Sequence, residues 1–258
     1  MRVLLIGDVV GRPGRRIVHE RLPDLIGQYD IDFTVANGEN AAGGNGLTHE
    51  VADQLWDDGI DVLTSGNHIF DKREVLDFID DSEQVLRPLN YPAGVPGRGV
   101  TVRTARGGQR VAVLNVSGRS FMPSQYDDPF QAVDDALARL EPVDALLVDM
   151  HAETTSEKMA LGWYLDGRVS VVVGTHTHVQ TADERILPRG TGVLTDLGMT
   201  GPYNSVLGVR TELVLEKLRR QMPVRFETAN GPAQLCGLVV TIEGGRTTEL
   251  ERLFIRES

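Results

Sequence analysis

With 258 residues, 41% of them hydrophobic and 24% charged, the sequence has the composition of a folded globular chain and argues against disorder. A length of this order favours one sizeable core, so a single domain over residues 1–258 is expected. The formal charge of −11 argues against duplex nucleic acid or an anionic membrane as partner, since both need a concentrated basic surface, but it leaves a small anionic substrate open.

The opening segment MRVLLIGDVVG holds an apolar run too short for a secretory signal before Asp8 interrupts it. No later segment approaches the ~18 apolar residues of a membrane-spanning helix, so a cytoplasmic protein is expected. Apolar, β-branched runs predict strands at residues 3–7, 33–37, 61–66, 110–116, 144–150 and 169–174. Amphipathic stretches between them predict helices at residues 13–28, 49–58, 71–79, 130–140 and 156–165. Continuous hydrophobic strands imply sheets covered on both faces, and the alternation with helices makes α/β the expected class. Glycine and proline cluster at residues 89–99 and 198–208, which read as surface loops. The last part, residues 225–254, reads as strands joined by a hairpin at Gly244–Gly245, giving the fold an antiparallel edge. The single Cys236 lies in the apolar run LCGLVV and reads as a buried, inert thiol.

Polar residues able to bind metal follow one predicted strand after another. VLLIG runs into Asp8, TVANG into Glu39 and Asn40, VLTSG into Asn67 and His68, LLVDM into His151, and VSVVVGT into His176 and His178. Ligand sites in α/β sheets form at such carboxyl ends, where loops diverge. Each fragment alone has a plain structural reading: Asp8 as a turn carboxylate, Glu39 and Asn40 as part of a Gly-rich loop, Asn67 and His68 as the approach to a helix capped by Asp71. His151 alone is equally well a hydrogen-bonded structural imidazole. His176 and His178 carry more weight, because residues i and i+2 of an extended segment project to the same face. Together they form a nitrogen and oxygen donor set without thiolate, which suits Mn²⁺, Fe or Zn²⁺.

The ordered fragments GD (7–8), GEN (38–40), GNH (66–68), His151 and GTHTH (174–178) resemble the calcineurin-like metallophosphoesterase superfamily, and most closely its YmdB-type bacterial branch. The resemblance spans nearly the whole chain. It implies a four-layer αββα sandwich, a dinuclear centre of iron or manganese, and hydrolysis of small phosphodiesters, 2′,3′-cyclic nucleotides among them. Carried onto this sequence, it implies that Asp8, Glu39, Asn40 and His178 hold one metal and Glu39, Asn67, His151 and His176 the other, with Glu39 bridging. His68 would then be the proton donor to the leaving oxygen. The wider superfamily has Asp-x-His in its first motif and a bridging Asp; here Asp8 is followed by Val9 and Val10, and the bridge is Glu39.

Around this set, Asp71 and Asp149 are candidates to support the histidines, with a helix cap and a solvated carboxylate as the plainer readings. Arg12, Arg15 and Arg16 read first as an exposed helical face and second as phosphate contacts. His19 and His49 read as solvated helix residues. A dinucleotide-binding reading fails on spacing, because the glycines after the first strand run G-x-x-x-G-x-x-G rather than G-x-G-x-x-G. A phosphomonoesterase, a protein phosphatase, or a regulatory protein that keeps the metal scaffold are the other readings. A small phosphodiester or nucleotide is the expected partner, and a symmetric homo-oligomer the expected assembly.

Overall fold

The computed structural model describes residues 1–257. From the N-terminus, β1 (Arg2–Ile6) and β2 (Asp8–Val9) lead into helix α1 (Gly11–Tyr29), followed by β3 (Phe33–Asn37), α2 (His49–Asp57) and β4 (Val62–Thr64). The middle of the chain supplies β5 (Val100–Thr104), β6 (Arg110–Ser117), α3 (Pro129–Arg139), β7 (Ala145–His151), α4 (Thr155–Tyr164) and β8 (Val171–Thr175). Then come β9 (Arg185–Ile186), β10 (Gly192–Leu194), β11 (Met199–Pro202), α5 (Thr211–Arg220), β12 (Ala233–Glu243) and β13 (Arg246–Arg256).

Two sheets result. One runs β2-β11-β12-β1-β3-β4, with β13 also paired to β12; the other runs β5-β6-β7-β8-β10-β9. In the first, β1, β3 and β4 are parallel while β12 joins β1 antiparallel. In the second, β6, β7, β8 and β10 are parallel and the edge strands β5 and β9 run against them.

Period-two alternation explains why these strands are apolar throughout. In β1, Val3 and Leu5 pack between the sheets while Leu4 and Ile6 face the helices. In β7, Ala145 and Leu147 point to the same inter-sheet core, and Leu146, Val148 and Met150 pack with Leu161 and Leu165 of the α4 region. The three apolar cores therefore separate four layers, helix, sheet, sheet and helix, as the αββα expectation required. Among the described residues, no helix is long and apolar enough to cross a membrane.

The C-terminal hairpin forms as expected, with Gly244 and Gly245 at φ 56° and 79° in its turn. Two local expectations are corrected, and one helix was not anticipated. Residues 71–79 form only a five-residue 3-10 turn, Arg73–Asp77, because the expected cap Asp71 instead accepts from Asn45 Nδ2 and faces His68 Nδ1. Residues 198–208 are not wholly loop: β11 lies within them, its glycine and proline masking a strand that tertiary pairing imposes. Helix α5, amphipathic but without a single buried residue, is an element that the sequence reading did not include.

Candidate metal centre and active-site cleft

Strands β1, β3, β4, β7 and β8 deliver Asp8, Glu39, Asn40, Asn67, His68, His151, His176 and His178 to one end of the sandwich, so all the expected site residues meet. Asp8 stands at the start of β2, where parallel pairing with Met199 of β11 fixes its backbone. His151 closes β7 and is fully buried. Gly66 of the GNH fragment packs against its ring so closely that a Cβ there would overlap Nε2.

The donors fall into two touching groups. His151 Nε2 stands 3.1 Å from Glu39 Oε1, 3.1 Å from Asn67 Oδ1 and 3.1 Å from His176 Nδ1. His178 Nε2 stands 3.6 Å from Asp8 Oδ1 and 3.3 Å from Asn40 Nδ2, and that amide also reaches Glu39 Oε1 at 3.3 Å. Glu39 thus lies between the groups, its other oxygen accepting from the His68 backbone N–H at 2.9 Å.

In each of these three imidazoles the nitrogen turned away from the cluster meets an oxygen. His151 Nδ1 faces Thr175 Oγ1 at 2.9 Å, and that hydroxyl donates to Asp149 Oδ1 at 2.7 Å, so the threonine oxygen is left to accept from Nδ1–H. His176 Nε2 meets Glu153 Oε2 at 3.1 Å, and His178 Nδ1 meets the Leu207 carbonyl at 3.1 Å. The outward N–H in each case leaves a lone pair on the inward nitrogen, the arrangement that orients metal-binding histidines. His68 differs: its Nδ1 faces Asp71 Oδ2 at 2.8 Å, and its Nε2 has no partner among the described residues.

The backbone corrects one sequence expectation. His176 and His178 do not alternate along an extended strand; they sit past the end of β8 at φ 100° and 63°, in left-handed conformations that cost roughly 1–3 kcal/mol each for a non-glycine residue. Both reach the cluster because the loop is held from outside. The His176 N–H donates to Asp8 Oδ2 at 3.2 Å, and Thr177 donates through N–H and hydroxyl to Asp196 Oδ2 at 3.2 and 2.7 Å.

Electrostatically, positive charge belongs at the centre. Burial alone would raise the Glu39 carboxyl, but the facing His151 and His68 hold it down at about 2. Burial disfavours a charged His151, yet Glu39 outweighs that and raises it. Burial, and then His151, push His176 down to about 3, keeping it neutral. Four lone-pair atoms therefore converge on a point that needs either a proton or a cation. Glu39, His151 and His176 alone bring one ligand atom each to within 4.8 Å of one another. The second group shows the same need: Asp8 Oδ1 is buried without any hydrogen-bond partner, and burial raises its carboxyl despite His178 and His151. The residues present fit divalent cations of the harder, nitrogen- and oxygen-binding kind.

Sequence reasoning missed Glu153, Thr175 and Asp196, whose roles depend on contacts between distant segments. Asp149, left between two readings, is buried between the sheets; burial pushes its carboxyl up to about 6 although Thr64 and Thr175 donate to it. Of the arginines after Asp8, Arg15 is spent on the Ala41 carbonyl and Gln54, and Arg16 on Glu257 and the Gly231 carbonyl; only Arg12 lines the cleft. His19 and His49 are exposed and line a separate surface depression. The cleft beside the cluster has a volume of about 1150 Å³ and is reached by Glu39, Asn40, His68, His176 and His178.

A 2′,3′-cyclic-nucleotide 2′-phosphodiesterase of Bacillus subtilis (strain 168) is 49% identical over 260 aligned residues, covering 100% of this chain and 98% of that one. A crystal structure of a hypothetical protein from Thermus thermophilus superimposes with a TM-score of 0.95 at 45% identity over all of both chains. A novel phosphatase from Mycoplasma pneumoniae superimposes with a TM-score of 0.92 at 31% identity, covering 99% of this chain and 93% of that one. The family model described as YmdB-like protein matches residues 4–253, and the chain belongs to that family.

Proposed function

We propose that the chain is a metal-dependent phosphodiesterase that opens 2′,3′-cyclic phosphates of nucleotides. The observation that carries this reading is the convergence of three imidazole lone pairs, Glu39 and the unpartnered Asp8 oxygen in one cluster that Glu39, His176 and His178 open to the cleft. In this reading Asp8, Glu39, Asn40 and His178 hold one ion and Glu39, Asn67, His151 and His176 a second, with iron or manganese favoured by the donor set. Bound there, a pair of divalent ions supplies Lewis-acid polarisation of the phosphoryl group and a water whose pKa falls from 15.7 toward about 7.

The residues of the chain do the rest. The oxygen of water forms a new bond to phosphorus, the bond from phosphorus to O2′ breaks, and the O2′ atom takes a proton, leaving a nucleoside 3′-phosphate. The Bacillus subtilis relative is named for scission at the 2′ ester. In this reading His68 gives that proton, which is supported by Asp71 at its Nδ1 and by an Nε2 without a partner beside the cleft. A ribose oxygen leaves poorly, and a positioned acid typically contributes about 10²–10⁴-fold. The Glu39 carboxylate anchors the His68 backbone, tying the acid to the same cluster.

The Mycoplasma pneumoniae structure is described as a phosphatase, which supports monoester hydrolysis as a second reading. Assay of 2′,3′-cyclic, 3′,5′-cyclic and 3′-monoester nucleotides with manganese- or iron-loaded protein separates the two. Highest kcat/KM on the 2′,3′-cyclic substrates is expected; a preference for monoesters would replace the diesterase reading.

A further inference from the structure

We infer that the cleft takes the 3′ end of a short single-stranded RNA carrying a 2′,3′-cyclic phosphate, and not a free cyclic mononucleotide alone. The inference rests on the diesterase reading above and adds the substrate class. Size points the same way. A pocket for one small ligand occupies about 300–1,000 Å³, and a cleft of about 1150 Å³ exceeds that range.

Charge adds to size. Arg12, Lys72 and Arg225 all line the cleft, and none makes an ion pair or a side-chain hydrogen bond among the described residues. The acidic side chains beside them are already engaged, Glu153 with His176 and Glu227 with Arg210. A cyclic phosphate carries a single negative charge and can use one such cation. In a chain of net charge −11, three free cations on one cleft call for further phosphates.

The Gly-rich loop after Asn40 packs against both groups: a Cβ on Gly46 would overlap Lys72 Cγ, and one on Gly44 would overlap Thr228 Oγ1. Lys72 and the segment bearing Arg225, Phe226 and Thr228 therefore both border that loop on the wall of the cleft. Phe226 lines the same cleft and is 43% exposed, an aromatic surface beside cationic side chains. Groups that follow the backbone by charge and stack bases on aromatic rings are how proteins hold single strands without reading their sequence.

The chemistry of the ring agrees. A 2′,3′-cyclic phosphate forms when a ribose 2′-hydroxyl attacks its own 3′ phosphodiester and expels the next nucleotide's 5′ oxygen, so RNA cleavage leaves it at the end of a chain. The reaction at that end is unchanged: water adds to phosphorus, the bond to O2′ breaks, O2′ is protonated, and a terminal 3′-phosphate remains. The net charge of −11 disfavours a long polyanion such as duplex RNA.

The test compares kcat/KM for adenosine 2′,3′-cyclic phosphate with that for a tetraribonucleotide ending in the same ring, using the manganese-loaded full chain. The wild-type protein is expected to favour the tetranucleotide by about tenfold or more, an advantage that shrinks as salt rises. The Lys72→Ala/Arg225→Ala variant and Phe226→Ala should each reduce that advantage, seen in KM. Equal kcat/KM for the two substrates in the wild type, or an advantage unchanged in both variants, would overturn the inference while leaving the diesterase reading in place. Failure to open either ring would overturn the diesterase reading, and this inference with it.

Discussion

Lys158 and Asp196 form an ion pair, Nζ to Oδ2 at 2.7 Å, with both side chains buried. The same carboxylate oxygen holds Thr177, the residue between His176 and His178, while Asp196 Oδ1 accepts from the Gly198 N–H. Removing the lysine strands a buried charge beneath the histidine loop. Lys158→Met is expected to cost about 3–5 kcal/mol in urea unfolding, the range for breaking a buried pair from one side. A loss under about 0.5 kcal/mol, the scatter of surface substitutions, would mean that the pair does not hold the loop.

Gly66 and Gly27 give opposite expectations for the same change. A methyl at Gly66 collides with the His151 ring, so Gly66→Ala should weaken metal binding by roughly 10-fold or more, as loss of histidine orientation does. Gly27 lies exposed in α1 with nothing within 4 Å of the added atom, and Gly27→Ala should stabilise the fold by about 0.5–1 kcal/mol. Calorimetric titration with Mn²⁺ and thermal unfolding of both variants check the pair of predictions.

His68 touches the cluster only through its backbone, and its ring is held by Asp71. His68→Ala should therefore keep the metal content of the wild type and lose about 10²-fold or more of its turnover on an unactivated cyclic diester. An activated p-nitrophenyl diester, whose leaving group needs no proton, should lose far less. Equal losses on the two substrates would remove His68 from the proton-donor role.

Cys236 is fully buried in β12, and burial pushes its thiol up to about 12. The thiol is therefore protonated across the neutral range, and the thiolate that alkylating reagents need is scarce at pH 8. Iodoacetamide labelling should follow global unfolding in urea. Rapid labelling of the native protein at pH 8 would contradict this burial.

Much of the site was legible because each donor follows an apolar run that only a buried strand explains. That punctuation marked Asp8, Glu39, Asn67 and His151 as candidates, while their assignment as ligands came from the set taken together and from the family resemblance. The strands β1, β3, β7 and β8 were legible for the same reason, whereas β11 was hidden by Gly201 and Pro202 and is imposed by its neighbours β2 and β12. His176 and His178 were identified for a reason the fold does not use: they converge through left-handed backbone and not through strand alternation. The partners of their outward nitrogens, Glu153 and the Leu207 carbonyl, could not be read, since no local pattern links residues that meet only after folding. The same holds for the pairing of Lys158 with Asp196.

The most direct test of the shared metal centre is the metal content of the purified chain after loading with Mn²⁺ or Fe²⁺, measured by elemental analysis beside Glu39→Gln. About two ions per wild-type chain are expected, as in a two-metal site, with loss from both positions when the shared carboxylate is removed. Wild-type protein that takes up no metal under any loading condition, or a Glu39→Gln variant that retains the full complement, would contradict it.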